Sequence, residues 1–384
     1  MGSRPAWPLA EGPSFEALLE GVRQRARQGE FDRQRHIPRD VIDAFKRHGV
    51  YRALVPARFG GLQCSPAQFC QMIERISHAD GSAGWVASFG MSPVYLAALP
   101  VDTLKGLYAK SPDTVFAAGI FPPQPAETVP GGFKVSGRWK YSSGSMCADI
   151  VGVGIAPKAG DQPGLPRIAV MPSHQVRIEQ TWDTVGLLGT GSNDLVAEGV
   201  FVADHWTFVR GGEPHLDEPL FRYPSLSLAT QVLSVVGLGV ARAALDELAA
   251  MASGRISVTG APAIADRPLA QTEVARCEAA LRAARAFFYE AIEQAWDHAL
   301  AGGPVPAQVT NLLRLSSTHA TRVAAEVARS VQMLSGMSGI YQQSPLARCV
   351  NDAQVVTQHA FMGDATYQNA GAMFFGKQPT PGYL

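Results

Sequence analysis

What the sequence lacks narrows its chemistry first. The five cysteines, Cys64, Cys70, Cys147, Cys277 and Cys349, form no CxxC pair. An odd, scattered set of thiols argues against a disulfide framework or a zinc site and suits a reducing cytoplasm. No Glu-x-x-His, HExxH or HxxxH occurs, and the histidines are dispersed. Neither a di-iron centre in a helical bundle nor a helical zinc site has its ligands, so no metal is expected. GxSxG is absent, which removes the nucleophile elbow of covalent acyl transfer. An excess of one charge is missing too, since 33 basic and 33 acidic residues cancel. That balance gives no support for nucleic acid or an anionic membrane as a partner. The most apolar stretch, residues 85–99, is short for a membrane span and holds Pro93. The start of the chain carries Glu11 and Glu16 without an apolar run, unlike a signal peptide.

With 384 residues the chain can bury a large core, and its signals change character twice. Residues 1–110 read as a helical domain, 111–219 as short strands punctuated by Pro and Gly, and 220–384 as an Ala-rich helical domain. Pro38 opens a helix that places Val41, Ile42 and Phe45 on one face, with Gly49 as its stop. Ser65 and Pro66 open another, in which Phe69, Met72, Ile73 and Ile76 keep the spacing of a buried stripe. A further helix is expected over 81–99. Four long helices, over 224–253, 269–300, 307–334 and 345–375, should close into an antiparallel bundle. Within the first of them VVGLGVARAA, residues 235–244, looks faintly like a dinucleotide fingerprint. It fails as one, because Arg242 stands where the third small residue belongs and no strand pattern surrounds it.

Two stretches of the strand region stand out. Residues 131–149, GGFKVSGRWKYSSGSMCAD, and 182–204, WDTVGLLGTGSNDLVAEGVFVAD, have strand chemistry, and each holds a knot of small hydroxyl residues. Ser142, Ser143, Gly144 and Ser145 form one knot; Thr190, Gly191 and Ser192 form the other. Small residues of this kind let a backbone approach a flat polar ligand, and they also make plain turns.

The order of helices, strands and long helices, together with these motifs, resembles the acyl-CoA dehydrogenase superfamily over nearly the whole chain. The resemblance implies an α+β, mostly α fold with an N-terminal helical domain, a middle β-barrel domain and a C-terminal four-helix bundle. It puts Ser143 at the hydroxyl that bonds flavin N5 and Tyr141 at the aromatic beside the isoalloxazine, with Ser142, Thr190 and Ser192 in the same flavin-binding motifs. Arg255 takes the place of the arginine that reaches the flavin phosphate or pyrophosphate of a neighbouring subunit, although a solvated arginine after a helix end is the plain alternative. Gln332 is a further candidate flavin contact. The SSG and GTGSND wording is closer to the superfamily's oxygenase branch, the flavin-dependent hydroxylases supplied with reduced flavin by a separate reductase.

His359 separates the two branches. In the dehydrogenases the catalytic glutamate lies in the last helix, eight residues after the aspartate of an Arg-Asp-Ala-like motif; here that aspartate is Asp352 and the place is taken by Ala360. The second place for the glutamate corresponds to Ala229, beside Thr230, where many dehydrogenases carry a substrate-binding arginine. Without a carboxylate at either place an acyl-CoA α-proton has no evident base. The oxygenase branch instead resembles this motif through a histidine seven residues after the aspartate, here His359. Seven residues is about two helical turns, so Asp352 and His359 are expected on one face. A lone histidine at such spacing is also a common packing residue.

The resemblance therefore implies the oxygenase component of a two-component flavin monooxygenase. It would take reduced FMN or FAD from a flavin reductase and use O2 as co-substrate. Ser143 would stabilise a flavin hydroperoxide, and His359 would act as a base on an aromatic substrate, phenolic or indolic. Trp85, Phe89, Met146 and Phe361, with Met91 and Tyr95, are candidate walls for a flat aromatic and equally candidate core. Members of the superfamily are typically tetramers, so a cytoplasmic homotetramer is expected. Two competitors stand beside this reading: an acyl-CoA dehydrogenase with another base, and an inactive scaffold of the same fold.

Overall fold

The computed structural model describes residues 13–157, 166–253 and 260–384. Helices α1 (Pro13–Arg27), α2 (Glu30–Gln34) and α3 (Arg39–Arg47) lead into α4 (Pro66–Ala79). Helix α3 buries Val41, Ile42 and Phe45, and the chain turns away at Gly49 with φ 73°. At the start of α4 the Gln68 amide donates to Ser65 Oγ while the Ser65 amide donates to Gln68 Oε1. This reciprocal cap satisfies two amides that have no partner within the helix. The stripe Phe69, Met72, Ile73 and Ile76 is buried, as its spacing predicts.

The single helix expected over 81–99 is instead α5 (Gly81–Ala87), a 3-10 turn (Ser88–Met91) and α6 (Pro93–Leu96). Pro93 has no amide with which to continue the ladder, and Ser88 Oγ draws on the Trp85 carbonyl at 2.7 Å. Helix α7 (Val101–Lys110) then completes the first helical layer.

Seven strands follow among the described residues: β1 (Phe116–Val129), β2 (Gly132–Ser142), β3 (Ile150–Pro157), β4 (Arg167–Pro172), β5 (Arg177–Glu179), β6 (Asn193–Ala203) and β7 (Thr207–Val209). They form one sheet in the order β5-β6-β2-β1-β3-β4-β7. Only the β1–β3 pair is parallel among these strands. The expected barrel takes the form of a curled sheet whose ladder runs from edge β5 to edge β7. Val135 and Trp139 of β2, Val153 of β3, Met171 of β4 and Leu195 of β6 share one apolar interior. Buried Trp139 meets its single polar need by donating Nε1–H to the Gly154 carbonyl at 2.8 Å.

The last region holds α8 (Ser225–Ala252), α9 (Pro268–Leu300) and α10 (Ala307–Ser335). The fourth long helix expected over 345–375 is split into α11 (Pro345–Thr357), a 3-10 turn (Ala360–Met362) and α12 (Ala365–Phe374). His359 sits in the break, with φ −65° and ψ 141°, and its ring accepts the Phe361 amide. A side chain that caps the next turn ends the ladder, so the expected two-turn register between Asp352 and His359 does not form. Helix α8 is long and apolar enough to cross a membrane by composition, yet 89% of its most apolar window is buried inside the protein. It is the core helix on which α4, α10 and α11 pack. At Gly239 a Cβ would stand 2.4 Å from the Glu74 carbonyl. Gly239 of VVGLGVARAA therefore serves the close crossing of α4 and α8, and Gly237 faces Ala324 of α10, so neither serves a nucleotide.

Candidate active site

The two hydroxyl knots meet because β2 and β6 run antiparallel, with Trp139 opposite Leu195 and Ser142 opposite Asn193. The end of one strand thereby lies beside the start of the other. The Gly144 amide, at φ 72°, donates to the Thr190 carbonyl at 2.8 Å and joins the knots. Asn193 Oδ1 accepts the amides of Thr181 and Trp182 at 3.0 and 3.1 Å, so the asparagine of GTGSND fastens the loop that carries the second knot.

Four side chains then form a row of hydrogen bonds. Trp85 Nε1 lies 3.1 Å from Ser143 Oγ, Ser143 Oγ is 2.6 Å from Ser192 Oγ, and Ser192 Oγ is 2.7 Å from Thr190 Oγ1. Thr190 Oγ1 ends the row on the Leu187 carbonyl at 2.9 Å. Indole nitrogen can only donate and a carbonyl can only accept, so the proton order is fixed. Trp85 donates to Ser143, Ser143 to Ser192, Ser192 to Thr190 and Thr190 to Leu187. Ser143 keeps one lone pair free. The hydroxyls of Ser142 and Ser145, on either side, are buried without a partner.

On its other side Trp85 meets His359, ring centres 5.9 Å apart, and His359 meets Phe361 at 4.8 Å. The Phe361 amide approaches His359 Nδ1 at 3.3 Å. An accepting Nδ1 leaves the proton of a neutral imidazole on Nε2. Burial first, then Arg210 and Arg314, push the His359 pKa down to about 4. His359, expected as a base from the sequence, is a neutral ring in these surroundings and can donate through Nε2–H. Asp352, expected on one face with His359, bonds elsewhere. Asp352 Oδ1 accepts the Leu187 amide at 2.6 Å, and burial followed by Asp80 raises its carboxyl to about 8. It anchors the residue on which the hydroxyl row ends.

Other candidates fall in different places. Tyr141 lies at the foot of the first knot, 70% exposed and at φ 62°. Met146 lines a cavity of about 320 Å³ with His36, Trp182 and Asn193. Phe89 is half-buried in the 3-10 turn after α5. Gln332 donates to the Gly339 carbonyl at 2.9 Å at the end of α10, and no contact joins it to Ser143 among the described residues. Arg255 lies outside the described residues. Sequence reasoning missed Arg210 and Arg314. Both are buried, and their guanidinium carbons lie 5.3 and 5.4 Å from the centre of the Phe361 ring. Arg314 also faces Tyr383 at 5.3 Å. An apolar setting for Arg314 in NLLRLSS was the only local sign of either.

Family models for the acyl-CoA dehydrogenase N-terminal and C-terminal domains match residues 17–100 and 231–364. The chain is 81% identical over 380 residues, 99% of its length and 98% of the relative's, to an indole-3-acetate monooxygenase of Pseudomonas putida. The chain belongs to the flavin-dependent monooxygenases of the acyl-CoA dehydrogenase superfamily. This monooxygenase is also 29% identical to the oxygenase component of an FADH(2)-dependent resorcinol hydroxylase from Rhizobium, over 94% of its own length and 93% of the relative's. A 3-HSA hydroxylase crystal structure from Rhodococcus matches it with TM-score 0.90 at 27% identity, covering 98% of this chain and 100% of that one. It is an oxygenase component that uses reduced flavin on an aromatic substrate.

Proposed function

We propose that this monooxygenase adds one oxygen atom from O2 to indole-3-acetate, and that it works as a cytoplasmic homotetramer fed with reduced flavin by a separate reductase. The row from Ser143 through Trp85 to His359 and Phe361 carries the reading. It joins a neutral hydroxyl anchor to aromatic walls. The anchor fits a reduced flavin: Ser143 has given its proton to Ser192, and its free lone pair can take the N–H that such a flavin carries at N5. Unpartnered Ser142 and Ser145 offer further hydrogen bonds to the same ligand. Tyr141 would lie against the flavin ring. When bound, the flavin supplies oxygen activation and transfer.

The chain's own residues then do three things. Ser143, held by Trp85 and Ser192, fixes the flavin edge without needing to reorient. His359 holds a proton at Nε2 and gives a hydrogen bond to oxygen at the reacting ring carbon of the substrate. Trp85 and Phe361 exclude water that would divert oxygen into hydrogen peroxide. Acyl-CoA dehydrogenation gains no support, because alanine occupies positions 229 and 360 and the charged groups nearest His359 are cations. Arg255 and Gln332 would reach the flavin of a neighbouring subunit. The exposed Met333, Met337, Ile340 and Tyr341 at the end of α10 give such an assembly an apolar surface to cover. The test is to supply reduced FMN, oxygen gas labelled with a heavy isotope, and indole-3-acetate. One labelled atom in the organic product is expected; peroxide alone with unchanged acid contradicts the reading.

A further inference from the structure

Arg210 follows β7 and Arg314 lies on α10, two segments far apart in the chain. Each is only 7% exposed. The Nε atoms of both are buried without a hydrogen-bond partner, and neither guanidinium has an ion-pair partner among the described residues. Burial, and then Arg210, lower the Arg314 pKa, while no carboxylate acts on it. What surrounds the pair is aromatic: Tyr95, Phe121 and Phe361 for Arg210, Phe361 and Tyr383 for Arg314. Ring faces attract a cation but cannot accept the five N–H bonds that each guanidinium offers in a planar fork. Two like charges over one ring, out of water and with no paired anion among the described residues, form an unfinished site.

We propose that Arg210 and Arg314 bind the carboxylate of the substrate, so that the enzyme selects an aromatic acid and holds its ring beside His359. The assignment rests on reading the site as that of an aromatic oxygenase. It adds a direction to the site, because contacts run from the two cations to Phe361, from Phe361 to His359 and from His359 to Trp85, which donates to Ser143. A carboxylate held at the cationic end of this series would leave the arene on the His359 side. The two forks would each give it charge-assisted hydrogen bonds, and their mutual repulsion would be relieved on binding.

Calorimetric titration of the full chain tests this anaerobically, with and without reduced FMN, using indole-3-acetate, indole-3-acetamide and acetate. The acid should bind about tenfold to a hundredfold more tightly than the amide, which has nearly the same shape and no charge. Arg210→Gln and Arg314→Gln should remove that advantage, and Arg314→Lys should keep part of it because it retains charge but loses the fork. Equal binding of acid and amide by the unaltered protein overturns the proposal, even if no variant folds. So does a parallel loss of both ligands in variants that melt normally. Oxygen incorporation is scored separately: tight, arginine-dependent acid binding without product would uphold the arginine assignment and sink the oxygenase reading of the substrate.

Discussion

At the Ser143 end of the site every hydroxyl of the central row passes its hydrogen bond to another group, from Trp85 through Ser143, Ser192 and Thr190 to the Leu187 carbonyl. At the other end two guanidinium groups stack on Phe361 and keep unpartnered nitrogens. The row at the first end is neutral and already satisfied, with Ser142 and Ser145 beside it left to bond a ligand, so it can meet a flat cofactor with little rearrangement. The second carries unpaired charge that costs stability in the free protein and is offset when an anion arrives. His359 lies between the two. Orientation of the substrate and handling of oxygen can therefore be disturbed separately.

The largest expected effect is at His359. Replacing it with Ala removes the Nε2–H donor and should lower product formation by about a hundred- to a thousand-fold, the usual cost of one well-placed donor. His359→Gln, which restores an N–H, should recover part of this. Peroxide release from reduced flavin should persist in both variants. A His359→Ala protein that oxygenates indole-3-acetate at the normal rate would show that the ring only packs against Trp85.

Ser143→Ala probes the satisfied end. It leaves the Trp85 N–H and Ser192 Oγ each short of a partner, at a cost of about 1–3 kcal/mol. A lower melting temperature and more peroxide per flavin consumed are expected together. If melting falls while coupling of oxygen to product is unchanged, Ser143 supports the fold without touching the flavin.

The two ends also differed in how far they could be read in advance. Alternation in the strands, small residues in SSG and GTGSND, and helical stripes such as Phe69 to Ile76 are local signals, and the antiparallel register of β2 and β6 merely brings them together. The cationic end has no local signal. Tyr95, Phe121, Arg210, Arg314, Phe361 and Tyr383 come from separate segments, and the lack of an acid paired with the arginines among the described residues is a property of the assembled fold alone. The break at His359 was hidden for a related reason. Seven-residue spacing continues a helix by default, whereas here the histidine ring captures the Phe361 amide and turns the chain toward the arginines.

Two smaller effects follow from charge. Asp352, raised to about 8, binds its proton more tightly in the folded chain than in the unfolded one, where carboxylates titrate near ~4. Stability from this group is present at low pH and lost as pH rises from about 4 to about 8. Asp352→Asn should therefore flatten the fall in melting temperature across that window, and an unchanged slope would remove Asp352 as its source. His359, pushed down to about 4, stays neutral above that value. Product formation should change little between about pH 6 and pH 8, since an ordinary histidine titrates near ~6.5. A steep loss as pH falls through 6.5 would mean that the ring is not shielded by burial and the two arginines.

The separation of the two ends is tested most directly by a crystal structure of the protein with indole-3-acetate bound. The carboxylate oxygens are predicted to lie within hydrogen-bond distance of both Arg210 and Arg314, with the indole ring beside His359 and facing away from the arginines toward Ser143. A carboxylate turned to the Ser143 knot, with the indole ring against Arg314, would contradict the account.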